Sequence, residues 1–394
     1  MSFSVPSFEF ILRNISKFSD VVERLNRPCV YGIINKTMMN GETFGMSKQL
    51  WTWIRRFLFL GVLLASIIFA GSILQPSYDA EASWPTTATY RDFYKLKKNS
   101  VAVLFMGSSH VVRAFSPQEL YNTYGLTSYN LASEEQSMLV TYFWLKEALR
   151  TQSPKAVVVD TYFLFDYRPK EPLNASEGNT RKAIDPMRMS RVKAQAIREI
   201  CELDPEQNPL SYYFPLLRYH DRWKEFNPSE LSQRSQPGLM GYKPDFGMSD
   251  VSNFEPFSAD GGKIMPMMPL MQEYLDRMTA LCKEHDIRLI LVKTPAPGQT
   301  AEKHNALLRY ADEHDLDLID FNESDVYYGG IDFWFETDCC DNEHANHWGA
   351  VKLTEYLGEF LTSECGLEPY EDPYWEESNL LYQQWIEAGE ENAI

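Results

Sequence analysis

Five short runs with strand character, separated by helix-like segments, constrain the fold of this chain more than any other feature. The clearest run, Val101-Ala102-Val103-Leu104-Phe105-Met106, is continuously apolar, which is typical of a strand buried on both faces. The runs are 101–106, 126–131, 156–160, 287–292 and 316–320. Segments with helical periodicity lie between them, for example 135–149 and 269–285, and this alternation predicts a parallel sheet.

We therefore predict an α/β fold of three layers, in which a parallel five-stranded sheet of flavodoxin-like type lies between helices. The alternation breaks over about 165–262, which is rich in Pro, Asn, Ser and aromatic residues and is interpreted as an insertion. The main domain is then 100–365. Residues 75–99 are interpreted as a linker that precedes it. Residues 366–394 hold eight acidic residues and no Lys or Arg, and are interpreted as a solvated acidic tail, of which part of a helix packs back.

Residues 57–74 contain no charged side chain and predict one transmembrane helix. Eighteen residues span about 27 Å as a helix, close to the thickness of the hydrocarbon core. Arg55 and Arg56 directly precede the run, and residues 1–56 form a basic arm, so the positive-inside rule predicts a cytoplasmic N-terminus. We expect a single-pass protein of the cell membrane with an extracytoplasmic domain. The alternatives are a buried helix of a soluble protein and a cleaved signal peptide.

Charge and cysteine content exclude some classes of function. The formal net charge of −18 argues against a nucleic-acid partner. Five cysteines follow the apolar run, and an odd number cannot all pair in disulfides. We therefore expect structural thiols; the alternative is one disulfide from Cys339 or Cys340 to a distant cysteine. No pair of Cys or His residues has metal-ligand spacing, so we expect neither a metal nor a cofactor.

Two motifs carry the chemistry. The first predicted strand ends in Gly107-Ser108-Ser109-His110, where a tight turn would expose a serine. The second motif, Asp341-x-x-His344, precedes the final predicted helix, and its Asp can orient its His. Both motifs lie at the carboxyl edge of the sheet, where ligands bind in open α/β folds. A nucleophilic triad is the hypothesis; His110 and the later His347 are interpreted as structural.

Together these motifs resemble the SGNH/GDSL hydrolase superfamily over roughly residues 100–365. The resemblance implies Ser109, rather than Ser108, as nucleophile, His344 as general base and Asp341 as the orienting acid. The chain departs from the family in the blocks that complete the oxyanion hole, because Ala132-Ser133 stands where a Gly is usual and Thr161 stands where an Asn is usual. Candidate donors here are the backbone around Ser133, the Gln136 side chain and Thr161; His220, in the insertion, is a candidate contact for a sugar or phosphate.

The anchor and the two motifs are similar to those of a membrane-anchored branch that includes lipoteichoic acid D-alanylation and exopolysaccharide O-acetylation proteins. This resemblance implies an O-acyl esterase or O-acyltransferase that acts on an acylated cell-envelope glycopolymer. It also implies a membrane-bound O-acyltransferase as partner. The alternatives are a catalytically weak binding or scaffold subunit, which the altered oxyanion blocks favour, and a generic lipase, which the polar, aromatic insertion disfavours.

Overall fold

The computed structural model describes residues 48–77, 86–165, 168, 170–227, 230, 238–250, 254–258 and 262–393. These residues divide into two compact units. The first unit combines residues up to 75 with the described part of 215–232, and the second unit holds the remainder from residue 76 onwards. The cytoplasmic arm predicted for residues 1–56 lies almost entirely outside the described residues.

The five strands of the second unit lie close to the predicted runs. They are β1 (Val103–Gly107), β2 (Ser128–Ala132), β3 (Ala156–Asp160), β4 (Arg288–Lys293) and β5 (Asp317–Asp320). All neighbouring pairs are parallel and the strand order is β2-β1-β3-β4-β5. The predicted α/β class with a parallel five-stranded sheet is confirmed.

The α-helices of both units are numbered along the chain. They are α1 (Lys48–Leu74), α2 (Thr86–Phe93), α3 (Ser109–Ala114), α4 (Pro117–Tyr124), α5 (Met138–Ala148), α6 (Glu177–Ile184), α7 (Arg191–Leu203), α8 (Pro209–Tyr213), α9 (Leu216–Tyr219), α10 (Pro269–Glu284), α11 (Ala301–His314), α12 (Phe335–Asp338), α13 (His347–Ser363) and α14 (Pro373–Ala393). Short 3₁₀ segments follow β3 (Tyr162–Leu164) and α9 (His220–Lys224), and a π-helical turn follows β5 (Asp325–Gly330).

Alternate residues of the strands enter two separate hydrophobic cores, which is why the sheet needs helices on both faces. Leu104, Val157 and Leu289 pack with α2, α5, α7, α10 and α11 in one core. Their neighbours in sequence, Val103 and Val158, pack with α3, α4 and α13 in the other. The strands are therefore buried on both sides, as their apolar sequences predict.

The start of α4 is set by its own capping residues. Ser116 is the N-cap, and its hydroxyl oxygen accepts a hydrogen bond from the Glu119 backbone N–H at 3.4 Å. Pro117 occupies the first turn, where a missing N–H costs nothing. This helix ends at Gly125, whose φ of +67° suits a residue without a β-carbon.

Two segments outside the predicted domain belong to its core. The interpretation of residues 75–99 as a linker differs from the structure, because α2 buries Tyr90 and Phe93 completely or almost completely. The interpretation of the C-terminal residues as a solvated tail also differs. Helix α14 buries Trp375 and Tyr382, and the Ser116 hydroxyl donates to the Tyr382 hydroxyl at 3.1 Å. Aromatic residues spaced along an acidic helix anchor it by one face.

Helix α1 dominates the first unit. It is long and apolar enough to cross a membrane. Its side chains are exposed along most of its length; Phe57 is 68% exposed and Phe69 is 63% exposed. A helix of a soluble core would bury such side chains, and this observation disfavours the alternative of a buried soluble helix.

Candidate active site

A strained turn at the end of β1 presents the two serines. Gly107 has φ of +142°, and a β-carbon on it would lie 2.6 Å from the Asp160 β-carbon on the neighbouring strand. Only glycine fits this combination of backbone angle and close approach. The turn lies between β1 and β3, where the strand order reverses direction and where open α/β sheets bind ligands.

We expect the Gly107→Ala substitution to lower the free energy of unfolding by about 3 kcal/mol, because it combines backbone strain with a clash. Gly366→Ala is the matched control, since Gly366 also has a positive φ of +62° but no heavy atom within 4 Å of an added β-carbon. Its expected cost is about 1 kcal/mol. Urea denaturation of the two variants measures the difference, and equal losses would contradict the role of the Asp160 contact.

Ser108 and Ser109 have different partners. The Ser108 hydroxyl donates to Asp160 Oδ2 at 2.5 Å and, as N-cap of α3, accepts from the His110 N–H at 3.3 Å. Burial raises the pKa of Asp160, although hydrogen bonds from Ser108 and from the Tyr162 backbone oppose that effect. Ser109 Oγ instead lies 2.8 Å from His344 Nε2. The first serine therefore holds the turn and the second faces the imidazole.

The His344 ring links Ser109 to Asp341. Its Nδ1 lies 3.0 Å from Asp341 Oδ2 and 3.1 Å from Oδ1. An ionised carboxylate only accepts hydrogen bonds, so Nδ1 carries the proton and Nε2 keeps a lone pair for the Ser109 hydroxyl. The predicted Ser109, His344 and Asp341 thus form one hydrogen-bonded chain across 235 residues of sequence.

Asp341 is held ionised by its own loop. Burial by itself would raise the pKa of Asp341, but the hydrogen bond and charge of His344 and the backbone N–H groups of Glu343 and His344 together lower it. Both N–H groups donate to Asp341 Oδ1 at 2.8 Å. The carboxylate side chain remains 50% exposed. It can therefore orient the imidazole and stabilise its charged form throughout the neutral range.

Asn346 fixes the loop to the start of α13. Its Oδ1 accepts from the Gly349 N–H at 3.0 Å, and its Nδ2 donates to the carbonyls of Thr337 at 2.7 Å and Gly247 at 3.0 Å. Sequence reasoning assigned Asn346 no role. The sequence does contain a signal for this role, because an Asn directly before a helix is a favoured N-cap.

His110 lies beside the His344 imidazole. Its ring stacks on Tyr162 with centroids 3.8 Å apart and lies 4.9 Å from the His344 ring. Its Nδ1 is 3.0 Å from Thr294 Oγ1. Burial and the nearby His344 hold the pKa of His110 well below its usual value, so it is neutral at pH 7. The residue supports the site without placing a second positive charge beside His344.

The predicted oxyanion donors are engaged within the domain. Thr161 uses both its N–H and its hydroxyl on the Val292 carbonyl, at 3.0 and 2.9 Å. Gln136 donates to the Leu131 carbonyl at 3.2 Å and to Thr141 Oγ1 at 3.1 Å. The Ser133 N–H faces the Gly107 carbonyl at 3.4 Å, and its hydroxyl is 3.3 Å from Gln136 Oε1. These side chains support the loop beside the turn. The Ser109 N–H lies in the first turn of α3, where backbone N–H groups have no intrahelical acceptor.

The two remaining histidine candidates, His220 and His347, lie in different environments. His220 belongs to the first unit, where it is exposed and lies 3.6 Å from Asp221. His347 is buried, and its Nδ1 is 3.1 Å from the Tyr242 hydroxyl. Burial lowers the pKa of His347 to about 4.

Buried His347 predicts a loss of stability in acid. The unfolded chain takes up a proton near pH 6.5, whereas the folded protein keeps His347 neutral down to about pH 4. The unfolded state therefore binds more protons, and the free energy of unfolding falls as pH decreases through this window. We expect His347→Gln to flatten the dependence of the melting temperature on pH. His220→Gln, at an exposed position, should retain the wild-type dependence.

Three side chains at the site have metal-ligand character. Nitrogen atoms of His110 and His344 and a carboxylate oxygen of Glu343 all lie within 4.8 Å of one another. An ion held there would compete for the imidazole of His344, which already contacts both Ser109 and Asp341. The five cysteines within the described residues, Cys201, Cys282, Cys339, Cys340 and Cys365, are free thiols, so no disulfide from Cys339 or Cys340 forms.

Residues 243–245, in the C-terminal part of the insertion, are called the wall here; they pack on α3, the helix that begins at Ser109. The Lys243 N–H donates to the Val112 carbonyl of α3 at 2.9 Å, and Arg113 of the same helix pairs with Asp245 at 2.6 Å. At the other end of this wall, the His347 N–H donates to the Asp245 carbonyl at 2.6 Å. A separate cavity of about 960 Å³, lined partly by Arg288 and Asp317, contains none of the triad residues.

No protein-family model matches this chain, and no curated protein sequence matches it significantly. Among solved structures it is similar to a lipolytic protein of the G-D-S-L family from Desulfitobacterium hafniense, at 12% identity and a TM-score of 0.31, over 65% of this chain and 97% of that one. It is also similar to a GDSL-like lipase from Bacteroides thetaiotaomicron, at 13% identity and a TM-score of 0.32, over 71% and 100%. An acylhydrolase from Bacteroides fragilis matches at 12% identity and a TM-score of 0.30, over 70% and 94%. These likenesses are remote.

Proposed function

We propose that this chain is a membrane-anchored SGNH-type serine O-acyl esterase or O-acyltransferase that acts on an acylated cell-envelope glycopolymer. The observation that supports this proposal is the hydrogen-bonded chain from Ser109 Oγ through His344 to Asp341. A serine, an imidazole and an ionised carboxylate in this order are the parts of a nucleophilic triad, whatever fold carries them.

In the proposed reaction each of the three groups has one role. Ser109 Oγ attacks the carbonyl carbon of the ester while His344 Nε2 takes the hydroxyl proton. Asp341 stabilises the imidazolium that forms. The tetrahedral intermediate then expels the alcohol of the polymer, which takes the proton from His344, and an acyl-Ser109 remains. Water completes hydrolysis, or a sugar hydroxyl completes transfer.

Anchoring and the site wall support a large surface substrate. The exposed apolar helix α1 suits a bilayer, and Arg55 and Arg56 at its start favour a cytoplasmic N-terminus with the catalytic unit outside. The wall of residues 243–245 carries Asp245, which pairs with Arg113 of α3, the helix that begins at Ser109. A polar wall suits a glycopolymer better than a long lipid chain. A membrane-bound O-acyltransferase remains our proposed partner.

The test is release of acetate from O-acetylated bacterial polysaccharides by the full-length protein in detergent, measured with and without added oligosaccharide acceptors. Hydrolysis alone would support an esterase. Formation of an acylated acceptor, detected by mass spectrometry, would support a transferase. A folded protein that neither cleaves nor transfers acetyl groups, and does not react with a fluorophosphonate, would overturn the proposal.

A second candidate function is a catalytically weak binding subunit of an envelope-polymer complex. The engaged donors of Thr161 and Gln136 favour it, because a full oxyanion hole contributes on the order of 100-fold or more to the rate. This candidate predicts binding of the polymer without turnover. Isothermal titration with the polysaccharide, beside the acetate assay, separates the two functions.

A further inference from the structure

Helix α1 is covered only near its end. Its side chains are exposed from Leu50, at 46%, to Phe69, at 63%, whereas Gly71 is buried. The run without charged residues ends at Leu74. If Phe57–Leu74 fills the hydrocarbon core, Gly71–Leu74 lies at the outer boundary of the bilayer, because a helix rises about 1.5 Å per residue.

The segment that covers this end comes from the same unit. We call residues 215–227 the collar segment; it contains α9 and the 3₁₀ turn after it. A β-carbon on Gly71 would lie 3.1 Å from the Leu216 backbone nitrogen and 3.7 Å from the Pro215 β-carbon. Small residues allow this kind of close approach between helices in membranes. The collar segment therefore packs directly on the last turns of α1.

An arginine ties the collar segment to the carboxyl end of α1. Arg222 Nη1 donates to the Leu74 carbonyl at 2.7 Å, and its Nη2 pairs with both oxygens of Glu230 at 2.8 and 2.9 Å. The last carbonyls of a helix lack intrahelical donors, and a cation there also interacts favourably with the helix dipole. This contact fixes the collar segment at the depth of Leu74.

The exposed side chains of the collar segment are apolar or charged, and the charges have both signs, because exposed Asp221 pairs with Lys224 at 3.0 Å. Leu217 is 54% exposed and Trp223 is 67% exposed. Exposed Arg218 and Lys224 lie beside them, and Lys224 Nζ is 5.9 Å from the centre of the Trp223 ring. Tryptophan and basic residues of this kind concentrate where lipid headgroups meet the acyl chains.

The opposite end of α1 has the same composition. Trp51 and Trp53 are 45% and 55% exposed, and the Arg56 guanidinium lies 5.1 Å from the centre of the Trp53 ring. Aromatic residues therefore flank the apolar stretch of α1 at both ends, as in the aromatic belts of membrane proteins. At the carboxyl end the collar segment supplies the aromatic side chain.

We propose that the collar segment lies in the outer interfacial layer of the bilayer that α1 crosses, with Leu217 and Trp223 in contact with phospholipid. This inference rests on the membrane anchoring in the proposed function. A phospholipid surface fits better than a protein partner because Leu217 and Trp223 are exposed on a segment that packs where the apolar run of α1 ends.

The test places an environment-sensitive fluorescent amino acid at position 217 of the full-length protein, reconstituted in vesicles of phosphatidylcholine and phosphatidylglycerol. A nitroxide near the carbonyl end of the acyl chains should quench it roughly twofold more than one near the methyl end. The same probe at position 64, in the middle of the apolar run, should show the reverse order. Quenching at position 64 without quenching at position 217 would overturn the inference and leave the anchor standing.

Absence of lipid quenching at both positions would contradict the proposed membrane anchor, and therefore also the inference that depends on it. Protection of position 217 from aqueous iodide without quenching by either lipid would mean that a protein covers the collar segment, which also overturns the inference. The triad proposal is tested separately by ester cleavage.

A matched pair of variants tests the contact itself. Gly71→Leu adds a side chain against the Leu216 backbone, whereas Ser72→Leu adds the same side chain at an exposed neighbour. We expect Gly71→Leu to lose at least about half of the lipid quenching at position 217, since it displaces the collar segment from its interfacial depth. Ser72→Leu should retain it, and both variants should keep the quenching at position 64. Equal behaviour of the two variants would contradict a collar segment held in place by α1.

Discussion

The Ser109→Ala variant is expected to lose ester turnover by a factor on the order of 10⁴ or more, because no other group at the site replaces an attacking oxygen. Covalent labelling by a fluorophosphonate, mapped by peptide mass spectrometry, should vanish with it. The 2.8 Å contact between Ser109 Oγ and His344 Nε2 is the physical basis of this expectation. Wild-type labelling at a different serine would contradict the assignment.

Ser108→Ala is the control for this experiment, since it removes the neighbouring hydroxyl from the same turn. It should keep the labelling at Ser109. The Ser108→Ala substitution should instead lower the stability of the fold, because it removes the N-cap of α3 and the hydroxyl that donates to buried Asp160. We expect a loss of about 2 kcal/mol in the free energy of unfolding. A Ser108→Ala protein that is folded but unlabelled would show that the two serines are assigned in the wrong order.

The Asp341→Asn variant is expected to lower kcat by a factor of about 10² to 10³. Its amide oxygen can still accept from the Glu343 and His344 N–H groups, so the loop should keep its shape. The amide NH₂ would face His344 Nδ1 and favour the tautomer that cannot accept the Ser109 proton. A buried triad aspartate costs about 10⁴ when changed in this way. Because Asp341 is half exposed, water can also hydrogen-bond in this loop, and we expect a smaller decrease in kcat.

Glu343→Gln separates a specific effect from a general loss of negative charge in the loop. It removes a carboxylate two residues from Asp341, and in buffer with a chelator it should change kcat by less than about twofold. The measurement is the steady-state hydrolysis of a small activated ester by both variants. Similar decreases of kcat in Asp341→Asn and Glu343→Gln would mean that the negative charge of the loop, rather than the hydrogen bond between Asp341 and His344, supports catalysis.

Much of the fold follows from local sequence pattern. The run from Val103 to Met106 has no polar residue, and a strand without one must be covered on both faces. Ser116 and Pro117 mark the start of α4 through capping chemistry that involves only neighbouring residues. Such signals are readable because each depends on a few adjacent positions.

Other parts of the fold depend on distant contacts. Helix α2 was interpreted as part of a linker because it is short and five of its eight residues are polar, yet Tyr90 and Phe93 complete a core built by β2 and α5. Similarly, the acidic helix α14 is held by buried Trp375 and Tyr382. Charge content alone does not reveal which face of such a helix is buried.

The alternation of strands and helices, the apolar run of α1, and the two motifs with Ser109, Asp341 and His344 can all be recognised in the sequence. These are local properties of side-chain type and spacing. Three other features are visible only in the folded chain. Ser108 donates to Asp160 while Ser109 faces His344. Thr161 and Gln136 donate to groups inside the domain, and the collar segment packs on Gly71. Each of these outcomes joins residues far apart in sequence, and hydrogen-bond geometry and close packing are settled only when the sheet and the helices bring them together.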